Sequence, residues 1–477
     1  MARVLLINPS MDVAAGFGEY HTLMEPMPCV GLAYLAATSR AAGHEVRVID
    51  NFADNLPPEQ LVAAARAFDP QVIGLGVLTP SARATEDLGR RFKAALPEAR
   101  VVLGNLHASL FADEMLRDGA CDVVVHGEGE RVFPTLIAAL GQGADLATVP
   151  HVSFRRDGET VTTGRGEQIQ DLDDLPRPAW DLFPWKKYTF LPFVTVAKPC
   201  LSIMGTRGCP FRCKFCALGY MGSHVRVRTP ENIAAEVEWL VRDFGIRHVG
   251  FVDPIFPLSK KHGIETCRAI RARRLPDNWW WTSETRVDVI DEEMCREMKA
   301  ARCRRILFGV ESGVDELLAN VGKNFKIEHV RRAVTVARAA GLEIAAFFML
   351  ALPGETAAMT RRTIDFACSL DIDFAKFGVT IPLPGSQYYE DLVNSGRIKP
   401  GDWDKFTTFN PDPDTLPYIP EGLTGEELQR LHRKATWRFY MRPKMIFRHL
   451  FVLRTIGLRR LFDGAVILLR QFFQGRL

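Results

Sequence analysis

The sequence predicts an α/β protein in which two parallel β-sheets, each covered by helices, follow one another along the chain. Three observations support this fold class. Short runs rich in β-branched residues alternate with helical patterns through residues 1–150. The same alternation returns from about residue 200, with six further candidate strands. The length of 477 residues is too great for one core, so we expect two or three domains.

The first sheet is predicted within residues 1–150. Its five strand-like runs are RVLLIN (3–8), EVRVID (45–50), VIGLGVLT (72–79), RVVLGN (100–105) and DVVVHG (122–127). Helical patterns lie between these runs, which is typical of a parallel sheet covered by helices. Such sheets bind ligands over the carboxyl ends of their strands. We therefore expect residues 8–10, 79–81, 104–109 and 127–130 to surround one crevice.

Residues 151–199 are predicted to form a linker. A hairpin is expected near HVSFRRDGETVT. The following LDDLPRPAWDLFPWKKY is rich in Pro and Trp, which suits an ordered segment that lies on both of its neighbours.

Residues 200–400 are predicted to form a six-strand β/α unit, a (β/α)6 partial barrel. The candidate strands are LSIMGT (201–206), HVGFVD (248–253), WWWTSE (279–284), RILFGV (305–310), IAAFFML (344–350) and KFGVTI (376–381). In full barrels the catalytic groups lie at the carboxyl ends of the strands, and we expect the same here.

Residues 401–477 are predicted to form a helical, basic C-terminal extension. From Arg430 onward there are twelve Lys and Arg residues and one acid, Asp463, although the whole chain carries a net charge of only +3. The longest charge-free apolar stretch, residues 464–469, is far short of the roughly twenty residues that a membrane span needs. Two interpretations remain open: an amphipathic helix on an anionic membrane, or helices that pack on the barrel and turn Arg to water. Nucleic acid is less favoured, because the aromatic residues of the tail lie in an apolar stripe and offer no stacking platform between the charges.

The ten cysteines indicate metal chemistry. Six stand singly in apolar or helical surroundings and are interpreted as small buried hydrophobes: Cys29, Cys121, Cys267, Cys295, Cys303 and Cys368. The N-terminus has an apolar run of only four residues before Asn8, so we expect a cytoplasmic, reducing setting without disulfides. Cys209, Cys213 and Cys216 lie together after the first barrel strand, in TRGCPFRCKFCALG. Zinc usually takes four ligands, whereas three thiolates on a four-iron cluster leave one iron free.

The CxxxCxxC spacing, with Phe215 before the last cysteine, resembles the cluster motif of the radical S-adenosylmethionine (SAM) superfamily. The resemblance implies that a 4Fe-4S cluster held by the three cysteines binds SAM and cleaves it to a 5′-deoxyadenosyl radical. Further SAM contacts are expected from Phe215, Asp253, Arg286, Glu311 and Ser312. Asp253 could instead cap the next helix, and Arg286 could form a salt bridge. The turns LPGET (352–356) and PLPGS (382–386) would let the backbone approach a ligand.

The stretch from Leu103 to Glu130, LGNLHASLFADEMLRDGACDVVVHGEGE, resembles the cobalamin-binding domain that precedes the barrel in many radical SAM enzymes. The resemblance implies a flavodoxin-like sheet and cobalamin contacts from Asn8, Thr79, Ser81, Gly104, His107, Ser109, Gly127 and Glu128. The chain lacks the DxHxxG motif of domains that ligate cobalt through histidine, so His107 is interpreted as orienting its loop by a hydrogen bond. A domain that has lost its cofactor is the alternative.

The resemblance implies an enzyme that methylates an unactivated carbon of a hydrophobic small molecule, with SAM and cobalamin meeting above the barrel. Oxidative cyclisation or ring rearrangement of a tetrapyrrole or polycyclic lipid is the alternative reaction. A non-catalytic cobalamin or iron–sulfur sensor is the alternative of another class. We expect no general base, no nucleic-acid partner, and a one-electron donor such as flavodoxin or ferredoxin. Peripheral contact with the inner membrane face through the tail depends on the first interpretation of that tail.

Overall fold

The structure is a computed structural model that describes residues 1–10, 26–164, 168–191, 193–406 and 416–453. The described chain forms two compact units. Within the described ranges, the first unit comprises residues 1–10, 26–188 and 400–404, and the second comprises residues 189–399 and those from 405 onward.

The first unit is built on a seven-stranded sheet among the described residues. Its strands, in chain order, are β1 (Arg3–Asn8), β2 (Glu45–Asp50), β3 (Val72–Gly76), β4 (Arg100–Gly104), β5 (Val123–Val125), β6 (Val152–Arg156) and β7 (Glu159–Thr162). They lie in the order β2-β1-β3-β4-β5-β6-β7. The five predicted strands are present, and they pair in parallel. Val4 to Ile7 are fully buried because helices cover both faces of the sheet.

The helices of the first unit follow its parallel strands. They are α1 (Val30–Ala41), α2 (Asn51–Asp54), α3 (Pro58–Phe68), α4 (Ala82–Ala95), α5 (Asn105–Leu110), α6 (Ala112–Arg117) and α7 (Gly129–Gln142). The predicted hairpin is also present, as β6 and β7. It pairs antiparallel with β5 and thereby extends the first sheet instead of standing alone.

The second unit contains the predicted six-stranded parallel sheet. Its strands are β8 (Cys200–Ile203), β11 (His248–Phe251), β12 (Trp280–Thr285), β13 (Cys303–Glu311), β14 (Glu343–Leu350) and β15 (Phe374–Val379). Within the described chain they lie in the order β15-β14-β13-β12-β11-β8, and every neighbouring pair is parallel. A short antiparallel pair, β9 (Thr206–Arg207) and β10 (Arg226–Val227), branches off after β8.

Helices connect the barrel strands. They are α8 (Pro230–Arg242), α9 (Lys260–Ala272), α10 (Glu292–Ala300), α11 (Asp315–Asn320), α12 (Ile327–Ala339), α13 (Ala357–Ser369) and α14 (Gln387–Asn394). Several begin where a Ser, Thr or Asp side chain accepts the backbone N–H three residues on, at Thr229, Ser259, Asp291, Thr356 and Ser386. Each cap satisfies an N–H that the first turn leaves without a partner.

The described part of the C-terminal extension is helical, as predicted. It comprises α15 (Gly425–Tyr440), α16 (Pro443–Phe447) and a π-helical turn at Arg448–Leu453. Leu428, Leu431 and Phe439 are buried where α15 packs beside β15 and α13, which agrees with the packing interpretation for this part. Residues 454–477, on which the membrane interpretation mainly depends, lie outside the described residues. In the described chain, no helix has the length and apolar character of a membrane span.

Candidate functional site

The three clustered cysteines lie on one loop of the second unit, between β9 and β10. Because Arg207 pairs with Arg226 and Thr206 with Val227, the two ends of this loop are held together. Gly208 has a φ of 89°, and a Cβ there would lie 2.2 Å from the backbone oxygen of His224. Glycine is therefore required where the loop leaves β9. The loop turns again at Cys216, whose N–H donates to the carbonyl of Cys213 at 3.0 Å.

Contacts with more distant segments fix the middle of the cysteine loop. The N–H of Lys214 donates to the carbonyl of Val321 at 3.0 Å, and the carbonyl of Lys214 accepts the N–H of Tyr388 at 2.8 Å. Gly322 lies so close that a Cβ there would be 2.9 Å from the backbone oxygen of Arg212. The loop is thus clamped between the segments that follow β13 and β15.

The three thiols are free and half-buried. Burial raises the pKa of Cys213, while the nearby Lys323 and Arg286 lower it. Burial also raises the pKa of Cys216, and a hydrogen bond from the backbone of Leu218 lowers it. Cys209 and Cys213 each add to the rise in the pKa of Cys216, so the three sulfurs lie within electrostatic reach of one another. Flanking cations favour thiolates, which are the ligand form.

These thiols suit a cluster better than a single metal ion. Among the described residues, no three His, Cys, Asp or Glu side chains stand close enough to hold one ion. Sulfur ligands of one tetrahedral zinc would lie about 3.8 Å apart, given a Zn–S distance of about 2.3 Å. The ligands of an iron–sulfur cluster bind different irons and are spread more widely. Three free thiols on one loop, with two cations nearby, therefore fit an iron–sulfur cluster.

A buried ion pair lies beside the cysteines. Glu311, at the end of β13, accepts a hydrogen bond from Lys323 Nζ at 2.8 Å, and the two side chains are 10% and 7% exposed. Glu311 has a φ of 66°, at an irregularity in the pairing of β13 with β14. Lys323 also donates to the carbonyl of Gly309 at 3.2 Å and lies 6.0 Å from the ring centroid of Phe215. The predicted residues Glu311 and Phe215 are therefore brought together with the cysteine loop.

Arg286 is also close to the loop, but its charge is already paired. Its guanidinium donates to both carboxylate oxygens of Asp288, at 2.9 and 2.8 Å. The same group stacks on Phe211 of the cysteine loop, with 3.6 Å from the guanidinium carbon to the ring centroid. The structure thus shows the salt bridge that the sequence left as the alternative, and it adds a cation–π contact that fixes the loop.

Asp253 and Ser312 are enclosed by protein. Asp253 does not cap the next helix, which begins at Ser259; instead its carboxylate accepts the N–H of Gly205 at 3.0 Å. Its second oxygen has no hydrogen-bond partner within the described chain, and burial raises its pKa to about 6. Ser312 is fully buried; its Oγ lies 3.2 Å from Thr363 Oγ1 and accepts the N–H of Val314. In this structure the Ser312 hydroxyl is engaged with protein, not facing a pocket.

Sequence reasoning missed two residues that organise the site, Lys323 and Arg228. Arg228 forms a buried ion pair with Glu236 at 2.5 Å, with side chains 7% and 1% exposed. It also donates to the carbonyl of Met204, between β8 and the cysteine loop. The signal for Arg228 was the alternation of Arg and apolar residues in HVRVRTP (224–230), which places its side chain on the same face as that of Arg226.

The predicted cobalamin contacts lie at the carboxyl ends of β1, β3, β4 and β5 in the first unit. Asn8 donates to Asp50 at 2.8 Å, and Asp50 also accepts a hydrogen bond from the Tyr188 hydroxyl. The Ser81 Oγ donates to the carbonyl of Leu78 within its own turn. Glu128 accepts the N–H of Ile169 at 2.8 Å. These side chains therefore shape the rim through protein contacts.

His107 is the central polar residue of this rim. Its Nδ1 lies 3.1 Å from Thr79 Oγ1, so two predicted residues are in contact. Burial lowers the pKa of His107 to about 4, and its Nε2 has no hydrogen-bond partner among the described residues. Gly104 and Ser109 are half-exposed nearby, and Gly127 has a φ of 68°. A glycine-rich rim with the buried Nε2 of His107 available for a hydrogen bond fits a large ligand such as cobalamin.

A segment from far along the chain completes the first unit. Trp403 packs on His107 and Phe111, with ring centroids 4.9 and 4.6 Å apart. Arg83 donates to the carbonyl of Gly401 at 2.7 Å. Sequence reasoning assigned this segment to the C-terminal extension, and no local pattern signals its partner.

Comparisons with known proteins match both units. A family model described as the Radical SAM superfamily matches residues 203–367, and one described as the B12 binding domain matches residues 21–137. An uncharacterized methyltransferase of Pyrococcus horikoshii is 31% identical over 451 residues, which are 94% of this chain and 94% of that protein. The anaerobic magnesium-protoporphyrin IX monomethyl ester cyclase of Cereibacter sphaeroides is 28% identical over 466 residues, which are 96% and 73%.

A solved structure has a similar fold. It is that of the radical SAM methyltransferase TsrM from Kitasatospora setae, with cobalamin and a 4Fe-4S cluster bound. The TM-score is 0.71 at 20% sequence identity, and the match covers 93% of this chain and 92% of that one.

Proposed function

Because the chain belongs to the radical SAM enzymes that carry an N-terminal B12-binding domain, we propose that it methylates an unactivated carbon of a hydrophobic small molecule. Its cofactors are a 4Fe-4S cluster, SAM and cobalamin. The observation that carries the proposal is the loop with three free thiols, closed by the β9–β10 pair at the carboxyl end of the first barrel strand. When bound, the cluster supplies the electron that cleaves SAM, and cobalamin carries the methyl group.

The residues of the second unit would hold and orient these groups. Cys209, Cys213 and Cys216 would ligate the cluster through their thiolates. The Glu311–Lys323 pair would present one carboxylate and one ammonium beside the cysteine loop, where the amino and carboxylate groups of SAM are expected. Phe215 would cover the cluster with an apolar ring. Asp253 holds the start of the loop through Gly205, so we propose a positioning role for it, in place of direct SAM contact.

The residues of the first unit would bind cobalamin without a histidine on cobalt. His107 is buried against Thr79, Phe111 and Trp403, and its low pKa keeps the imidazole neutral. It would therefore orient the rim through its hydrogen bond to Thr79. Asn8, Ser81, Gly104, Ser109, Gly127 and Glu128 would complete the rim.

An apolar cluster in the barrel, called here the floor, is evidence for a hydrophobic substrate. Leu307, Ala345 and Phe374 form a buried cluster, and Phe193, Val194 and Phe347 pack on it while retaining some exposure. An apolar floor with few polar groups is typical of a site for a largely apolar molecule. We propose a cytoplasmic enzyme that receives electrons from flavodoxin or ferredoxin.

The test uses the anaerobically reconstituted full chain with reductant, cobalamin and SAM that carries a CD3 group. Extracted lipids and pigments serve as the substrate source. We expect a product heavier by the labelled methyl group, together with 5′-deoxyadenosine, and neither from the Cys213→Ala variant. Formation of 5′-deoxyadenosine with no labelled product from any extract would refute methyl transfer.

One observation favours a second reaction. The similarity to the anaerobic cyclase of Cereibacter sphaeroides covers 96% of this chain, so oxidative cyclisation of a tetrapyrrole or polycyclic lipid is the alternative. A cyclase would give a product that has lost hydrogen and gained no label. A non-catalytic sensor would bind the cofactors and form no 5′-deoxyadenosine at all.

A further inference from the structure

Two charged side chains face the interior of the barrel between its floor and the cysteine loop. Glu284 on β12 shares a face with Thr282, whose Oγ1 lies 2.9 Å from Nε2 of the buried His248. Lys376 on β15 shares a face with Phe374, a member of the apolar floor. Because side chains alternate along a strand, both charged groups point inward.

The ammonium group of Lys376 lies above the floor. Its Nζ is 5.9 Å from the ring centroid of Phe193 and 6.0 Å from that of Phe347. In register, Lys376 is paired with Phe347 on β14, and Glu284 is paired with Leu307 on β13. A cation and an acid therefore stand at the edge of an otherwise aromatic and aliphatic surface.

The Glu284 side chain is exposed in the structure, on the same face of β12 as the buried Thr282. Desolvation by the surrounding protein raises the pKa of its carboxyl group to about 7, with a smaller contribution from Glu311 and an opposing one from Lys376. The carboxyl group therefore lies near other protein groups and is still accessible to a small molecule. Burial in turn lowers the pKa of Lys376 to about 8.

The Glu284 carboxyl group makes no hydrogen bond and no ion pair with any other described residue. Its backbone carbonyl, in contrast, accepts the N–H of Phe256 at 2.8 Å. The carboxyl group is therefore open to a ligand.

We propose that Lys376 and Glu284 form a subsite that receives a carboxylate carried by an otherwise apolar substrate. The Lys376 ammonium pairs with the carboxylate, and the Glu284 carboxyl donates a hydrogen bond to it. A single cation matches a monoanion, whereas a phosphate dianion would need a second cation. The body of the substrate lies on Phe193, Phe347 and Phe374. This inference deepens the proposed function, because it names the chemical class of the substrate in the same barrel.

The experiment measures binding and needs no turnover. The probe is 1-pyrenebutyrate, whose fluorescence is followed with the anaerobic holoenzyme, and its methyl ester is the uncharged counterpart. We expect the acid to bind at least about tenfold more tightly than the ester, since a charge-assisted contact is worth about 1.5–3 kcal/mol. Lys376→Met should remove this preference. Lys261→Met, at a surface lysine with an 86% exposed side chain, should not.

Glu284 is tested by a pair of variants. Glu284→Gln keeps a donor and should retain the preference for the acid, whereas Glu284→Leu should weaken acid binding about tenfold. Cluster absorbance and near-UV circular dichroism identical to the wild type establish that each variant is folded. Equal affinity for acid and ester in the wild type, or an undiminished preference in Lys376→Met, would overturn the subsite. If the subsite fails in either of these ways but the labelled methyl group is still transferred, the proposed function stands without the subsite. If the wild type prefers the acid over the ester but transfers no methyl group, the subsite stands and methyl transfer is refuted.

Discussion

Removing the Lys323 ammonium group while Glu311 stays in place should destabilise the second unit strongly. The two charged groups are 2.8 Å apart, and both side chains are at least nine-tenths buried. Lys323→Met leaves the Glu311 carboxylate buried without its cation. Breaking a buried pair in this way costs about 3–5 kcal/mol of unfolding free energy.

The double variant separates the pair interaction from the loss of each side chain. Glu311→Gln alone should also destabilise, because the buried ammonium group then loses its opposing charge and keeps only uncharged acceptors such as the carbonyl of Gly309 at 3.2 Å. Glu311→Gln combined with Lys323→Met carries no unpaired charge, so we expect it to be more stable than the sum of the single changes by about 2 kcal/mol or more.

Unfolding by urea under anaerobic conditions, followed by tryptophan fluorescence, measures these differences. Lys326→Met is the matched control, since Lys326 is exposed and lies three residues away; it should change stability by less than about 0.5 kcal/mol. If the change in unfolding free energy of the double variant equals the sum of the changes of the two single variants, Glu311 and Lys323 do not interact in solution. That result would refute the predicted pair interaction. Lys323→Met should also slow iron uptake, since Lys323 lowers the pKa of Cys213.

Three further predictions concern single positions. Cys213→Ala should abolish iron retention in a colorimetric iron assay, whereas Cys267→Ala, at a buried cysteine outside the loop, should retain iron at a cost of about 1 kcal/mol in stability; equal iron content would contradict the ligand assignment. Gly208→Ala should lower iron content because its Cβ would lie 2.2 Å from a backbone oxygen, and Gly219→Ala, with open space around it, should not; the same assay decides. Burial raises the pKa of Glu355 from 4.5 to about 7, so the folded protein should lose about 3 kcal/mol of stability as pH rises between these values. Glu355→Gln should remove that pH dependence in urea unfolding measured at pH 5 and pH 7.5, and an unchanged dependence would assign it to another group.

Much of the fold could be predicted from local pattern. Each parallel strand is a short apolar run, because helices bury both faces of these sheets, and such runs are visible in the sequence. The cysteines proposed as cluster ligands could also be singled out from the sequence, since Cys209, Cys213 and Cys216 lie within one loop whose spacing is itself the signal.

The surroundings of the cysteines depend on distant packing. Lys323 lies 107 residues after Cys216, and nothing near it in the sequence marks it as a partner of Glu311. Arg286 was predicted at the end of a barrel strand, but whether its guanidinium pairs with Asp288 or stays free for a ligand depends on side-chain geometry. Likewise, the alternation of β12 places Glu284 inward, while its lack of a partner is evident only from the folded chain.

The C-terminal extension was predicted only in part. Its helical character follows from the apolar spacing of residues 425–440, which is a local property. The return of Pro400–Asp404 to the first unit depends instead on a contact with residues almost three hundred positions earlier. Such pairings carry no signal in a single sequence.

That return has a practical consequence for dissecting the molecule. A fragment that stops at residue 199 would lack Trp403, and the faces of His107 and Phe111 that this indole covers would be open to water. Such a fragment should therefore be prone to aggregate. Weak binding of cobalamin by the fragment would not show that the intact protein binds it weakly. A fragment in which residues 400–404 are joined to residue 199 by a short linker would restore Trp403 and would be a suitable test of cobalamin binding by the first unit.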